Sequence, residues 1–182
     1  MILSVDDGCI SDIRVAGLAK KYQVKTIFYI PLEWQSLAYD KGYEPLTYGQ
    51  VLRIADEFEI GSHSVTHRHL TNISLDEAKR EIFESKLMLE KLIGKEVTRF
   101  CPPRGYTNAE LTDFTLEHYA SQRLTKGKGL VHIHPNSGAN NNLHWEDYAK
   151  TIDVKEVWLH SWELDRYDLW EQFERFLSEY RK

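Results

Sequence analysis

Short apolar runs alternate along the chain with longer segments in which apolar residues recur every three or four positions. Residues 1–5 are mostly apolar and stop at Asp6-Asp7-Gly8, the mark of a buried strand entering a turn. Residues 11–22 carry Ile13, Val15, Leu18 and Ala19 at near-helical spacing, with Ser11 placed as an N-cap. A second strand spans 26–30 and is stopped by Pro31. The stretch 32–45 has no clean period and reads as a long surface loop holding Trp34, Tyr39 and Tyr43. Residues 47–58 are helical, with Val51, Ile54 and Ala55 on one face, and 59–62 form a third strand. The helix at 74–93 has the clearest signals: Ser74 with Glu77 makes a capping box and Gly94 is a stop. A fourth strand at 97–101 ends in Pro102-Pro103-Arg104-Gly105, and a helix at 108–117 follows. The remainder reads as strands at 119–125 and 130–133, a loop at 135–142, a short helix at 144–150, a seventh strand at 154–160 and an amphipathic helix at 169–180.

Strands alternating with helices imply βαβ units and a parallel sheet. Seven of them predict an α/β fold: a single-domain distorted (β/α) barrel of about seven parallel strands across residues 1–182, with no repeats or linkers dividing it. The length of 182 residues suits one domain with a sizeable core.

Composition narrows the function classes. Hydrophobic residues make up 42% and charged residues 28%, an ordinary globular balance. The formal net charge is −5 and no basic stripe appears, which argues against a nucleic-acid or anionic-membrane partner. Apolar runs such as 26–31 are too short to span a bilayer, so no transmembrane segment is expected. A charged segment followed by an apolar leader is not visible before the first strand, which favours a cytoplasmic setting. Cys9 and Cys101 form no CxxC pair, so they read as free thiols in a reducing compartment rather than zinc ligands. Oligomeric state is not legible.

The chemistry gathers at strand ends. In parallel α/β folds, sites form at the C-terminal ends of the strands. Four of the expected strands end in titratable or unusual residues: Asp6-Asp7, His63-Ser64-Val65-Thr66-His67, Pro102-Pro103-Arg104-Gly105 and His160. His63 and His67 are four apart, so on one helical turn or a compact loop their rings can share an ion. Two imidazoles and a carboxylate suit zinc, or cobalt, nickel or iron, with positions left for water. Adjacent aspartates on a strand point to opposite sides unless the turn distorts them, which suits one carboxylate on a metal and one free for proton transfer. Taken alone, Asp-Asp-Gly is also an ordinary turn.

These residues carry a resemblance. Ser4-Val5-Asp6-Asp7-Gly8 is similar to the TFDDG motif of the polysaccharide deacetylase family of carbohydrate esterases, built on the nodulation-type chitooligosaccharide deacetylase domain. His63-Ser64-Val65-Thr66-His67 matches the family's H-[ST]-x-x-H segment in full, and Cys101-Pro102-Pro103-Arg104-Gly105 resembles its third motif. Leu159-His160 resembles the final motif in its strand-ending histidine. The resemblance implies a metal-dependent hydrolase removing N-acetyl groups from an N-acetylated glycan. It makes Asp6 the general base, Asp7, His63 and His67 the ligands of one divalent ion, most simply zinc, and His160 the general acid. The segment Pro103, Arg104 and Gly105 would contact substrate or the oxyanion.

The chain departs from the family in two places. Cys101 stands where the third motif begins with a base-orienting arginine; Arg99, Arg104 and Arg123 are the candidates to replace it. The fourth motif, an aspartate with a nearby tryptophan that tunes the acid histidine, has no clear counterpart; Asp147, Asp153, Trp145 and Trp158 are the candidates. His132 and His134 share a strand face as a hydrogen-bonded or solvated pair, and His69 has a structural or surface role. Trp158 and Trp162 wall a sugar subsite or belong to the aromatic core, and Trp34, Tyr39 and Tyr43 are loop aromatics able to stack on sugars. Three rival readings stand beside the deacetylase. One is a non-haem iron oxygenase, disfavoured by the βα alternation; the others are a hydrolase of non-sugar amides or cyclic imides and a catalytically degenerate sugar-binding module.

Overall fold

Alternation within the strands decides which way each side chain of this computed structural model faces; residues 1–135 and 144–179 are described. In β1 (Ile2–Asp6), Leu3 and Val5 pack outward into the main hydrophobic core, while Ile2, Ser4 and Asp6 face the other way. The same alternation runs through β2 (Lys25–Ile30), where Phe28 and Ile30 join that core and Ile27 and Tyr29 face inward with Cys101. The remaining strands are β3 (Glu59–Ser62), β4 (Arg99–Phe100), β5 (Ser121–Gln122), β6 (Leu130–His132) and β7 (Glu156–His160).

All the ladders are parallel, in the order β5-β4-β3-β2-β1-β7-β6. The sheet curls into a distorted (β/α) barrel, and among the described residues no ladder joins its edges β5 and β6. Register places Asp6 between Tyr29 of β2 and His160 of β7, so two of the expected site residues are lateral neighbours.

Helices cover the outer face. The group α1 (Asp12–Tyr22), α3 (Tyr48–Glu57), α6 (Trp145–Thr151) and α8 (Trp170–Glu179) packs Val15, Val51, Trp145 and Phe173 against β1, β2 and β7. The pair α4 (Leu75–Ile93) and α5 (Ala109–His118) packs Ile82, Leu89 and Leu111 around Phe100.

The expected loop at 32–45 is corrected by the structure: it contains α2 (Trp34–Lys41), closed by Gly42 in the left-handed conformation at φ 73°. Only Trp34 and Ala38 are buried on it, one helical turn apart, too few positions to write a period into the sequence. A six-residue helix, α7 (Ser161–Arg166), directly follows β7 and was not anticipated. Caps also differ in detail. Ser74 accepts from the Glu77 N–H at 3.3 Å, but the Glu77 carboxylate turns away to Arg68, so the expected box is half formed. Thr47 and Gln50 form a complete one at the start of α3. Ser11 donates its hydroxyl to Asp165 instead of capping α1. Most of the expected loop at 135–142, and the end of the final helix at Tyr180, lie outside the described residues.

Candidate active site

The C-terminal rim of β1 turns sharply. Asp7 has φ 83° and Gly8 φ 72°, so the strand's alternation breaks at Asp7. Asp6 and Asp7 both become fully buried. Asp6 turns to Arg123, just past β5, whose Nη2 donates to its Oδ1. The guanidinium lies between the rings of Tyr29 and Trp158, 5.0 and 5.2 Å from their centroids. Burial disfavours its charge, but Asp6 more than restores it and holds Arg123 protonated. Of the three arginines, Arg123 therefore meets Asp6; Arg99 pairs with Glu59 at 2.7 Å, and Arg104 lines the cleft mouth.

His63 and His67 sit on a compact loop rather than a helix. Ser64 and His67 adopt φ of 68° and 58°, and the Ser64 hydroxyl accepts from the His67 N–H at 3.1 Å. Glu81 of α4 pins the loop, accepting from Val65 N at 2.9 Å, Thr66 N at 2.8 Å and the Thr66 hydroxyl at 2.6 Å. The His63 Nδ1–H donates to the Cys101 carbonyl at 2.6 Å, which leaves Nε2 as the lone-pair nitrogen. Burial pushes the His63 pKa down to about 4, so the ring is neutral at ordinary pH, as a ligand must be.

Asp7 completes the cluster. Its Oδ1 lies 3.3 Å from His67 Nε2 and 3.7 Å from His63 Nε2, and its Oδ2 lies 3.1 Å from Lys41 Nζ. Burial works to raise the Asp7 pKa, but His160, His67 and Lys41 overcome it and hold the carboxyl ionised. Asp7 Oδ1 is buried without a hydrogen-bond partner among the described residues. Donors of a tetrahedral ion with bonds of about 2.0–2.1 Å stand about 3.3 Å apart. An orphaned carboxylate oxygen facing two Nε2 atoms near that separation fits a divalent ion. Asp6, His63 and Cys101 also approach one another, but burial keeps the Cys101 thiol protonated and Arg123 engages Asp6.

His160 closes the ring from β7, with Nε2 3.7 Å from Asp7 Oδ2. Its Nδ1–H donates at 3.1 Å to Glu163 of α7, a residue sequence reasoning missed. Burial works to lower the His160 pKa, yet Asp7 and Glu163 raise it above its ordinary value. Glu163 is itself drawn down to about 2: burial opposes this, and the bonds from His132 and His160 prevail. Asp147 instead pairs with exposed Lys150, and Trp145 lies in the core.

Asp6, His63, His67 and His160 line a cleft of about 630 Å³ whose walls include Lys126, Leu130, His132, Tyr148 and Trp158. Arg104 and Gly105, at φ 60° and 74°, turn the segment after β4 toward it, while buried Pro103 packs behind and the Gly105 N–H donates to the Pro102 carbonyl at 2.9 Å. Of the loop aromatics, Trp34 is buried in the core and Tyr39 points to solvent, while the Tyr43 hydroxyl donates to the Asp7 carbonyl at 3.2 Å. His69 stacks on Tyr106.

A curled parallel barrel gathers these aspartates and histidines at its C-terminal rim, where sites of parallel α/β folds form. The chain belongs to the polysaccharide deacetylase family, whose sequence profile matches residues 1–120. It is 31% identical over 98 residues to the peptidoglycan-N-acetylmuramic acid deacetylase PdaC of Bacillus subtilis, covering 54% of this chain and 19% of that protein. It is 28% identical over 95 residues to a peptidoglycan-N-acetylglucosamine deacetylase of Bacillus cereus, covering 52% of this chain and 40% of that one. The chain thus matches well under half the length of either curated relative. In fold it is similar to a family 4 carbohydrate esterase of Streptomyces lividans, with TM-score 0.72 and 16% identity over 98% of this chain and 88% of that one. The profile match ends before Arg123, His160 and Glu163, so their placement rests on the structure. No helix among the described residues is long and apolar enough to cross a membrane.

Proposed function

We propose that the chain hydrolyses the N-acetyl amide of an N-acetylated glycan. One observation carries this reading. Asp7 Oδ1, buried and without a hydrogen-bond partner among the described residues, faces His63 and His67 between an Asp6 held by Arg123 and a His160 held by Glu163.

Asp7, His63 and His67 would hold a divalent ion, which would supply Lewis acidity to a water and to the acetyl carbonyl. The chain's own groups do the rest. Asp6, fixed by Arg123, takes the proton of the attacking water. Arg104 lines the cleft, and its backbone N–H would serve the oxygen that gains negative charge. His160 gives its Nε2 proton to the departing amine nitrogen, which is a poor leaving group without it. Glu163 keeps the other ring nitrogen protonated and aims Nε2 at the site.

The names of the curated relatives make peptidoglycan fragments the first substrates to try, beside chitin oligomers. The test is acetate release by protein loaded with zinc, cobalt, nickel or iron, with Asp6→Asn and His63→Ala alongside. Metal-dependent release lost in both variants supports the reading. Bound metal with no acetate from any sugar points to a non-sugar amide as substrate. Neither metal nor turnover leaves a glycan-binding module.

A further inference from the structure

Three more donors converge beside the first cluster without sharing a residue with it. His132 Nε2 and His160 Nδ1 lie 3.3 and 3.1 Å from the same oxygen of Glu163, and all three donor atoms fall within 4.8 Å of one another. We propose that His132, His160 and Glu163 form a second divalent-ion site, of zinc type, whose occupation silences His160.

Geometry supports an ion here. The two measured separations match the roughly 3.3 Å edge of a tetrahedral zinc site with bonds of about 2.0–2.1 Å. Two imidazoles and a carboxylate are a zinc-type donor set. Each donor is held by rigid structure. The His132 ring lies flat on Trp158, 3.6 Å between centroids and 1° between planes, and those two residues are paired in the β6–β7 ladder. His160 ends β7, and Glu163 is buried in the helix that begins one residue later. His134 stands behind, with Nε2 3.9 Å from the other Glu163 oxygen. His132 and His160 both line the cleft, so an ion reaches them by the substrate's route.

The proton count is closed. Without the ion, N–H protons on His132 Nε2 and His160 Nδ1 bridge to the Glu163 carboxylate. The ion takes the lone pairs of those two nitrogens and one carboxylate oxygen. Each displaced proton moves to the ring's other nitrogen, or to solvent if the ring was charged. His160 is then neutral, with its only N–H on Nε2, and yields that proton far less readily than an imidazolium.

The consequence for activity rests on the proposed function, whereas the ion count does not. Zinc bound per chain is therefore measured by equilibrium dialysis from one equivalent to large excess, with acetate release followed in parallel. The expected result is one zinc at low concentration and two in excess, with acetate release falling about 10²-fold or more as the second binds. His132→Gln should hold one zinc throughout and lose the inhibition. A wild-type count that stays at one overturns the site, whether or not the variant folds. Two ions bound equally by His132→Gln overturns it too, as does equal inhibition of both proteins. Absence of acetate at every zinc level strikes the proposed function and leaves the count to decide the site.

Discussion

Arg123 reaches Asp6 across the curl of the sheet: the two lie 117 positions apart, on the end of β5 and the end of β1, with three strands between them in the ladder order. The bond ties the edge of the barrel to its centre. Among the described residues, Arg123 is the side chain that donates a hydrogen bond to Asp6. Arg123→Met should cost about 3–5 kcal/mol, because it strands a buried carboxyl group. The melting temperature should drop by on the order of 10 °C. Arg123→Lys keeps a charge but loses the planar guanidinium held by Tyr29 and Trp158, so acetate release should fall about 10²-fold with a smaller thermal loss. Thermal melts and single-turnover acetate release check both.

Among the described residues Glu81 makes no hydrogen bond or ion pair to Asp7, His63 or His67, yet its carboxylate accepts three bonds from the loop that carries the two histidines. Glu81→Ala should weaken metal binding by about 10–100-fold, the usual cost of losing an outer support. Chelator competition followed by metal analysis reads the change directly. Unchanged affinity would mean that Ser64 and the backbone hold the loop unaided.

The pH dependence has a definite sign. His160 titrates above its ordinary value of 6.5 because Asp7 and Glu163 outweigh burial. Its proton therefore persists to higher pH than in a free histidine. The fold gains that stabilisation fully below about pH 6.5 and loses it as pH rises through the raised value. Glu163→Gln removes one of the two attractions. The alkaline limb of kcat should move to lower pH, and stability should depend less on pH above about 6.5. A pH–rate profile and melts at several pH values test this; an unmoved alkaline limb would remove Glu163 from the account.

Gly61 of β3 is required by a neighbour, not by its own backbone. A methyl group there would stand 2.4 Å from Cδ1 of Tyr29, whose ring supports Arg123. Gly61→Ala should cost about 1–3 kcal/mol through overpacking. Acetate release should fall with it, as the displaced ring moves Arg123. Urea unfolding with a parallel activity measurement separates this from a stable, active variant.

The residues legible in the sequence share one property. Asp6, Asp7, His63 and His160 each interrupt or follow a short apolar run, and His67 is spaced to join His63. Strand count and parallel order were legible because βα alternation leaves few other topologies. The choice among Arg99, Arg104 and Arg123 was not, because it depends on a curl that carries the end of β5 toward β1. Glu81 and Glu163 look like ordinary helical glutamates, and their roles come from loops that pack against them only in the folded chain. Trp34 shows the same limit: its indole N–H donates to the Leu46 carbonyl at 2.8 Å, burying an aromatic that the sequence leaves in a loop.

Six non-glycine residues among those described have left-handed backbones, and four of them are Asp7, Ser64, His67 and Arg104. Each such conformation costs on the order of 1–3 kcal/mol that a glycine would not incur. A laboratory evolution campaign rewarding heat resistance alone would be drawn to these rim positions. Its survivors would be tougher proteins whose rim loops hold Asp7, His63 and His67 less well. Screening for acetate release in the same rounds is what would keep the two traits from parting.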